Sequence, residues 1–296
     1  MDVFQTTITG AEQKPAILCL MSDLHLDAKQ HNRNLLISDL EAAKKLGARI
    51  SINGDSFDGI LPSDMKRFHP GVATTDMARD DLINQMVRMG VEVLSPYADL
   101  IDMISPGNHE RSILKYHHLD VTSMLIYGLN VQRTPGLPPI HQGSYRGFQK
   151  YLFKLSNKNL WRDNLVIFRH HGRGGSAPVT GGALDLNRIR QDFDADLYWL
   201  GHKHQNIARA FTRVSLNRKG TIKVRKQRAI MSAGYTKQLQ EESPNDYGDI
   251  GDFGETFYQV SEAGAQWVMA KIVQGKNRRL EWSTFDNPMA LLNNVE

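Results

Sequence analysis

Five short apolar runs, the longest of eight residues, punctuate the first two thirds of this sequence. They are PAILCLMS (15–22), ARISIN (48–53), ADLIDMIS (98–105), NLVIFR (164–169) and DLYWL (196–200). Runs this short, bounded by polar residues, fit strands buried on both faces, as in a parallel sheet. Helical spacing fills much of the chain between them. Over 31–47, Leu35, Leu36, Leu40, Ala43 and Leu46 recur at helical intervals and Gly47 is a stop signal. Further helices are expected at about 73–97, at 111–128 (bounded by Gly128) and at 184–193. Beyond 205 the pattern turns to short alternating strands, at 207–216, 221–233, 255–261, 265–273 and 278–284. Strands alternating with helices, then a run of strands, predict two sheets packed face to face with helices outside.

A chain of 296 residues can bury a sizeable core, and 41% hydrophobic with 23% charged residues is an ordinary globular composition. The net charge of +4 is too mild to identify a partner. The only cysteine, Cys19, excludes an intrachain disulfide, and its place in an apolar run marks it as a small core hydrophobe. No basic-then-apolar leader and no run near the ~18 apolar residues of a membrane span is present, so a cytoplasmic protein is expected. The whole of 1–296 is read as one domain. A loop-and-hairpin insertion rich in Pro and Gly is expected at about 129–163, and a β-rich part from about 205.

The polar residues that close each apolar run carry the chemistry. The first run ends in Asp23-Leu24-His25 and the second in Asn53-Gly54-Asp55-Ser56-Phe57-Asp58. The third ends in Gly107-Asn108-His109-Glu110, the fourth in His170-His171-Gly172 and the fifth in Gly201-His202-Lys203-His204. One Asp after a strand is an ordinary turn former, and one His is unremarkable. Here six of the 11 histidines fall in these clusters. Ligands in open α/β sheets bind at the carboxyl ends of strands, so five strand ends would bring imidazoles, carboxylates and an amide to one edge. Such ligands suit borderline and harder divalent ions, and the absence of thiolates argues against a structural zinc site. Gly54, Gly107, Gly172 and Gly201 are expected to let the backbone turn beside the ions.

The ordered set D-x-H, G-D-x-x-D, G-N-H-E, H-G and G-H-x-H, spanning 23–204, resembles the signature of calcineurin-like metallophosphoesterases. The resemblance implies an α/β four-layer αββα sandwich of two mixed sheets with flanking helices. It implies two divalent ions, with Mn favoured and Fe, Zn, Co or Ni compatible. One would be held by Asp23, His25, Asp55 and His204, the other by Asp55, Asn108, His171 and His202, with a hydroxide between them attacking a phosphate ester. His109 would protonate the leaving oxygen, while Asp58 and Glu110 match positions that orient ligands or His109. His171 directly precedes the glycine and is preferred to His170, which is left to orient a ligand or touch substrate. Arg111 and Arg173 are candidates to hold a phosphate oxygen, or are solvated surface arginines. A catalytically silent scaffold would have lost ligands or His109, and this sequence has lost none.

The substrate is less constrained. The strip 207–228 carries eight Arg and Lys and no acidic residue, and begins just after the last motif. It suits a nucleic-acid backbone, or is an edge strand guarded by charge. The favoured substrate is a phosphodiester in nucleic acid or a nucleotide. Alternatives are a phosphomonoester or phosphoprotein, or a small-nucleotide pyrophosphate.

Overall fold

The computed structural model describes residues 1–61, 81–156, 161–174, 182–237, 262–274 and 278–291. Strand β2 (Ala16–Met21) shows how the layers form. Successive side chains of a strand point to opposite faces, and here both faces are apolar. Leu18 and Leu20 enter one core, while Ile17, Cys19 and Met21 enter another. Around β2 lie β3 (Arg49–Asn53), β4 (Ile101–Ser105), β5 (His141–Gln142), β11 (Gln266–Val273) and β12 (Arg279–Phe285), in the order β12-β11-β2-β3-β4-β5. The run β2-β3-β4-β5 is parallel, and β11 is antiparallel to both β2 and β12.

The second sheet contains β1 (Asp2–Thr9), β6 (Arg146–Lys154), β7 (Arg162–His170), β8 (Leu197–Leu200), β9 (Ile207–Leu216) and β10 (Ile222–Met231), ordered β1-β6-β7-β8-β10-β9. Leu18, Leu20, Val268 and Ala270 of the first sheet meet Tyr151, Phe153, Leu165, Ile167 and Trp199 of the second in an inter-sheet core. Helices α1 (Arg33–Leu46), α2 (Leu82–Leu94) and α4 (Val121–Gln132) cover the outer face of the first sheet, and α5 (Ala183–Asp192) covers that of the second. The layers are those expected, and Cys19 is fully buried among them. No helix of the described residues is long and apolar enough to cross a membrane.

Several element bounds differ from expectation for local reasons. The helix expected to 97 ends at Leu94, and a 3-10 turn with Pro96 near its start runs Ser95–Leu100, which delays the third strand to Ile101. Residues 73–80 of that helix, and the strand expected at 255–261, lie outside the described residues. The helix expected over 111–128 is two. α3 (Asn108–His117) ends at left-handed His118, and Asp120 caps α4 by accepting from the Ser123 amide. The stretch 129–163 holds β5 and the nine-residue β6, which pairs antiparallel with β7 and parallel with β1. β1 carries no clear sequence signal, because its inward face alternates Asp2, Phe4, Thr6 and Ile8.

Candidate metal centre

Five parallel strands, β2, β3 and β4 of one sheet and β7 and β8 of the other, end at one edge of the sandwich. The chain turns sharply there. Among the described residues, six non-glycines have positive φ, and five are Asp23, His25, Asp55, His202 and His204. A left-handed backbone is costly for such residues and persists only where its surroundings enforce it. Backbone bonds between the loops do so. The amides of Asp23 and His25 donate to the carbonyls of Gly54 and Asp55, both at 3.0 Å, and the Tyr235 amide donates to Asp23 O at 3.0 Å.

These turns gather the side chains into two adjoining groups. Donor atoms of Asp23, His25 and His204 lie within 4.8 Å of one another, as do those of Asp55, His171 and His202. Asn108 Oδ1 and Asp55 Oδ2 each lie 3.0 Å from His171 Nε2. The groups touch, since Asp23 Oδ1 is 3.9 Å from His171 Nε2 and 3.6 Å from His204 Nε2. Every residue expected to bind an ion from the sequence is therefore in one cluster.

The protonation of this cluster shows what it suits. His171 Nδ1 is 2.8 Å from the Asn53 carbonyl, which can only accept, so that nitrogen carries the proton. Nε2 then faces two oxygen acceptors, an arrangement that needs either a second proton or a cation. Burial would lower the His171 pKa, but the charge and hydrogen bond of Asp55, with Asp23 behind, raise it to about 10. His25 behaves alike. Its burial is outweighed by the Asp58 hydrogen bond and the charges of Asp55, Asp58 and Asp23, which raise it to about 9. His25 Nδ1 is engaged by Asp58 Oδ1 at 3.2 Å, while Nε2 is buried with no hydrogen-bond partner among the described residues. A carboxylate-rich cluster with an orphaned imidazole nitrogen fits a pair of divalent cations.

Asp55 belongs to the second group and lies within electrostatic reach of His25 in the first. Burial alone would raise its pKa, yet the imidazoles of His171 and His109 hold it far below the usual carboxylate range. Its Oδ1 accepts from the His109 amide at 3.0 Å. Gly107 packs so closely that a Cβ there would sit 2.0 Å from Asp55 Oδ1. Turning was the expected role of this glycine, but its φ is an ordinary −98°, and what it supplies is room. Glu110 accepts from the amides of Gly107 (2.8 Å), Phe57 (3.0 Å) and Asp55 (3.1 Å), clamping the second and third loops together.

His109 stands beside the cluster, with Nε2 3.9 Å from Asp55 Oδ2. Its Nδ1 donates to the Asp58 carbonyl at 2.5 Å and lies 3.4 Å from Asp58 Oδ1. His25, Asp58 and His109 form a third group of potential donors, but hydrogen bonds already bind those three to one another. His170 turns away, its Nδ1 accepting from the Gly172 amide at 2.9 Å, and burial lowers its pKa to about 4. Arg111 lies over the Tyr145 ring at 5.0 Å, and Arg173 is exposed in the loop after β7.

Two residues of this site escaped the sequence reading. Asp27 accepts from the amides of Asp58 (2.5 Å) and Gly59 (2.8 Å), fixing the second loop. It continues the two-residue rhythm of Asp23 and His25, a signal available in the sequence. Tyr145 sets its ring edge against His170 and His171 and donates from its hydroxyl to Gly172 O. Nothing local in the sequence announces it.

The sequence pattern of one family, calcineurin-like phosphoesterase, matches residues 18–206, which contain every residue of the cluster. The chain belongs to the calcineurin-like phosphoesterase family. This phosphoesterase is thus a metal-dependent hydrolase of phosphate esters, and its Asp and His groups suit a binuclear divalent centre. No curated protein matches the phosphoesterase in sequence. Among solved structures it is similar to GAP50, the anchor in the inner membrane complex of Plasmodium, at 11% identity over 96% of each chain with TM-score 0.41. A predicted phosphoesterase from Streptococcus pneumoniae TIGR4 aligns at 12% identity, covering 91% of this chain and 98% of that one, with TM-score 0.30. A metallophosphoesterase from Sphaerobacter thermophilus aligns at 13% identity, covering 94% and 92%, also with TM-score 0.30.

Proposed function

We propose that this phosphoesterase hydrolyses a phosphodiester, in nucleic acid or a nucleotide, at a centre of two divalent cations. The observation that carries the proposal is the position of Asp55, whose carboxylate lies 3.0 Å from His171 Nε2, accepts from the His109 amide and acts electrostatically on His25 of the other group. Asp23, His25, Asp55 and His204 would hold one ion, and Asp55, Asn108, His171 and His202 the other. Manganese is the favoured metal for this mixture of hard oxygen and borderline nitrogen ligands. When bound, such a pair supplies positive charge for phosphoryl oxygens and acidifies water.

The chain's own groups do the rest. His109 donates a hydrogen bond from Nδ1–H to the Asp58 carbonyl, so Nε2 faces the cluster and would be the atom to protonate the departing oxygen. Asp58 orients both His25 and His109 through their Nδ1 atoms. Glu110, holding three amides, keeps Asp55 in place. Arg111, which lies over the Tyr145 ring, and Arg173 in the loop after β7 would bind a non-bridging oxygen through their planar donor forks. His170, bonded back to its own loop, supports that loop. The diester reading draws on charge, since the sequence from Leu197 to Gln240 contains no acidic residue.

Hydrolysis of an aryl phosphodiester and an aryl phosphomonoester with added Mn²⁺ tests this directly. Labelled single- and double-stranded DNA, RNA and cyclic nucleotides are the next substrates to try. The proposal expects Mn²⁺-dependent cleavage with diester preferred. A monoester preference would overturn the diester reading, and inertness toward every compound would overturn the activity.

A further inference from the structure

The basic strip is not laid along the active site. β10 pairs with β8 only over Arg228–Met231, whereas it pairs with β9 along its whole length, Ile222–Met231. The rungs from Thr212↔Lys226 to Leu216↔Ile222 therefore stand beyond the sheet as a two-stranded ribbon. Between Thr212 and Val224 every residue except Asn217 is exposed. The root is anchored where Arg190 lies over the Phe211 ring at 3.6 Å and Arg228 donates to Thr284 Oγ1 at 2.7 Å.

The rung Ile207↔Met231 adjoins the end of β8, from which the metal cluster springs, and Leu216↔Ile222 is nine residues along β10 from it. At roughly 3.3 Å per residue the outermost rung is about 30 Å from the cluster edge. Val214 faces Val224, and Leu216 faces Ile222, directly across the ribbon. All four are exposed, by 65–70%. Among the basic side chains, Arg213 and Arg225 pair with Asp194. Arg209, Arg218, Lys219, Lys223 and Lys226 have no carboxylate partner among the described residues and are exposed. Exposed aliphatic clusters on a soluble chain mark a contact surface, and the unbalanced charge selects an anionic occupant. It also disfavours a second copy, which would bring like charge to like.

We propose that this ribbon docks in the major groove of B-form duplex DNA, as a holding site about one helical turn from the catalytic centre. The proposal rests on the phosphodiesterase reading and goes beyond it. The major groove, about 12 Å wide, admits a two-stranded ribbon and is lined by thymine methyl groups that aliphatic side chains can contact. Lys226 on the aliphatic face and Arg218 and Lys219 at the turn are the cations that reach phosphates, while Arg213, Lys223 and Arg225 lie on the opposite face. A-form RNA, whose major groove is deep and narrow, would not accept it. DNA shorter than about ten base pairs cannot reach both ribbon and centre.

Two variants test the site. One replaces residues 214–224 by Asn-Gly, a two-residue hairpin turn that keeps the Arg213↔Arg225 rung. The other is V214S/L216S/I222S/V224S, which keeps all charge. Binding to 20-base-pair DNA, 8-base-pair DNA and 20-base-pair RNA is measured by fluorescence anisotropy, and binding to anionic phosphatidylserine vesicles by co-sedimentation. Melting temperature checks folding. The proposal expects the wild type to favour long duplex DNA over the other three probes. The shortened ribbon should lose at least tenfold in affinity for it, and the serine variant at least threefold. Equal DNA affinity in wild type and shortened ribbon would overturn it. Preference for vesicles or RNA, or a dimer in the wild type that the serine variant breaks, would also overturn it. Loss of aryl phosphodiesterase activity with DNA binding intact would instead count against the functional reading alone.

Discussion

At the scale of single residues, the chemistry turns on which nitrogen carries which proton. His109 is fixed by the Asp58 carbonyl, so His109→Ala should leave both ions bound while lowering turnover by about 10²–10⁴. The loss should be smaller for an aryl ester whose leaving group needs no proton. Equal losses for good and poor leaving groups would remove His109 from proton transfer. Gly107 makes a different prediction. A Cβ 2.0 Å from Asp55 Oδ1 must displace that carboxylate or the loop. Gly107→Ala should therefore bind metal more weakly by elemental analysis, and normal occupancy would show that the loop gives way without cost. Site identity was the most legible feature of the sequence, because strand ends deliver neighbouring side chains to one edge whatever the helices do. The role of Gly107 was not legible, since its demand for space comes from Asp55, a residue 52 positions away whose approach only the fold reveals.

At the scale of elements, the strands buried on both faces could be read, as could the edge strands β9 and β12, but the edge strand β1 could not. β2 announces itself because both its faces are apolar. β1 does not, since Asp2 begins its inward face. That carboxylate accepts from Arg169 of β7 at 2.6 and 2.7 Å and from the Ser144 amide at 2.9 Å. Arg169 is fully buried, so the pair joins β1 to a strand that is not its sheet neighbour. Removing one partner of such a pair leaves a buried charge uncompensated, a loss of about 3–5 kcal/mol. Asp2→Ala should show that loss in urea unfolding, with metal content unchanged. A loss below about 1 kcal/mol would mean water reaches Arg169 freely. The break between α3 and α4 was written as His118-Leu119-Asp120, a cap signal outweighed in the sequence by continuous helical spacing.

At the scale of the whole molecule, two sheets meet at one edge and their loops hold each other through the site. Without cations, His25 and His171 carry folded-state pKa values of about 9 and about 10, above the ~6.5 of an unfolded imidazole. Raised values mean that their stabilisation is complete below about pH 6.5 and is lost as pH climbs through 9 to 10. Cations compete with those protons and bind better over the same window. Metal-free protein should melt at lower temperature at pH 8.5 than at pH 6.5, while the stabilisation added by Mn²⁺ should grow. A metal shift that shrinks with pH would contradict this ligand set.

Counting the bound ions decides the central claim. Native mass spectrometry of chain reconstituted with Mn²⁺ should show two ions per molecule. Asp55→Ala should drop at least one of them while the protein stays folded. A wild type that holds one ion or none, or an Asp55→Ala variant that keeps both at full occupancy, would contradict a centre built on a shared Asp55.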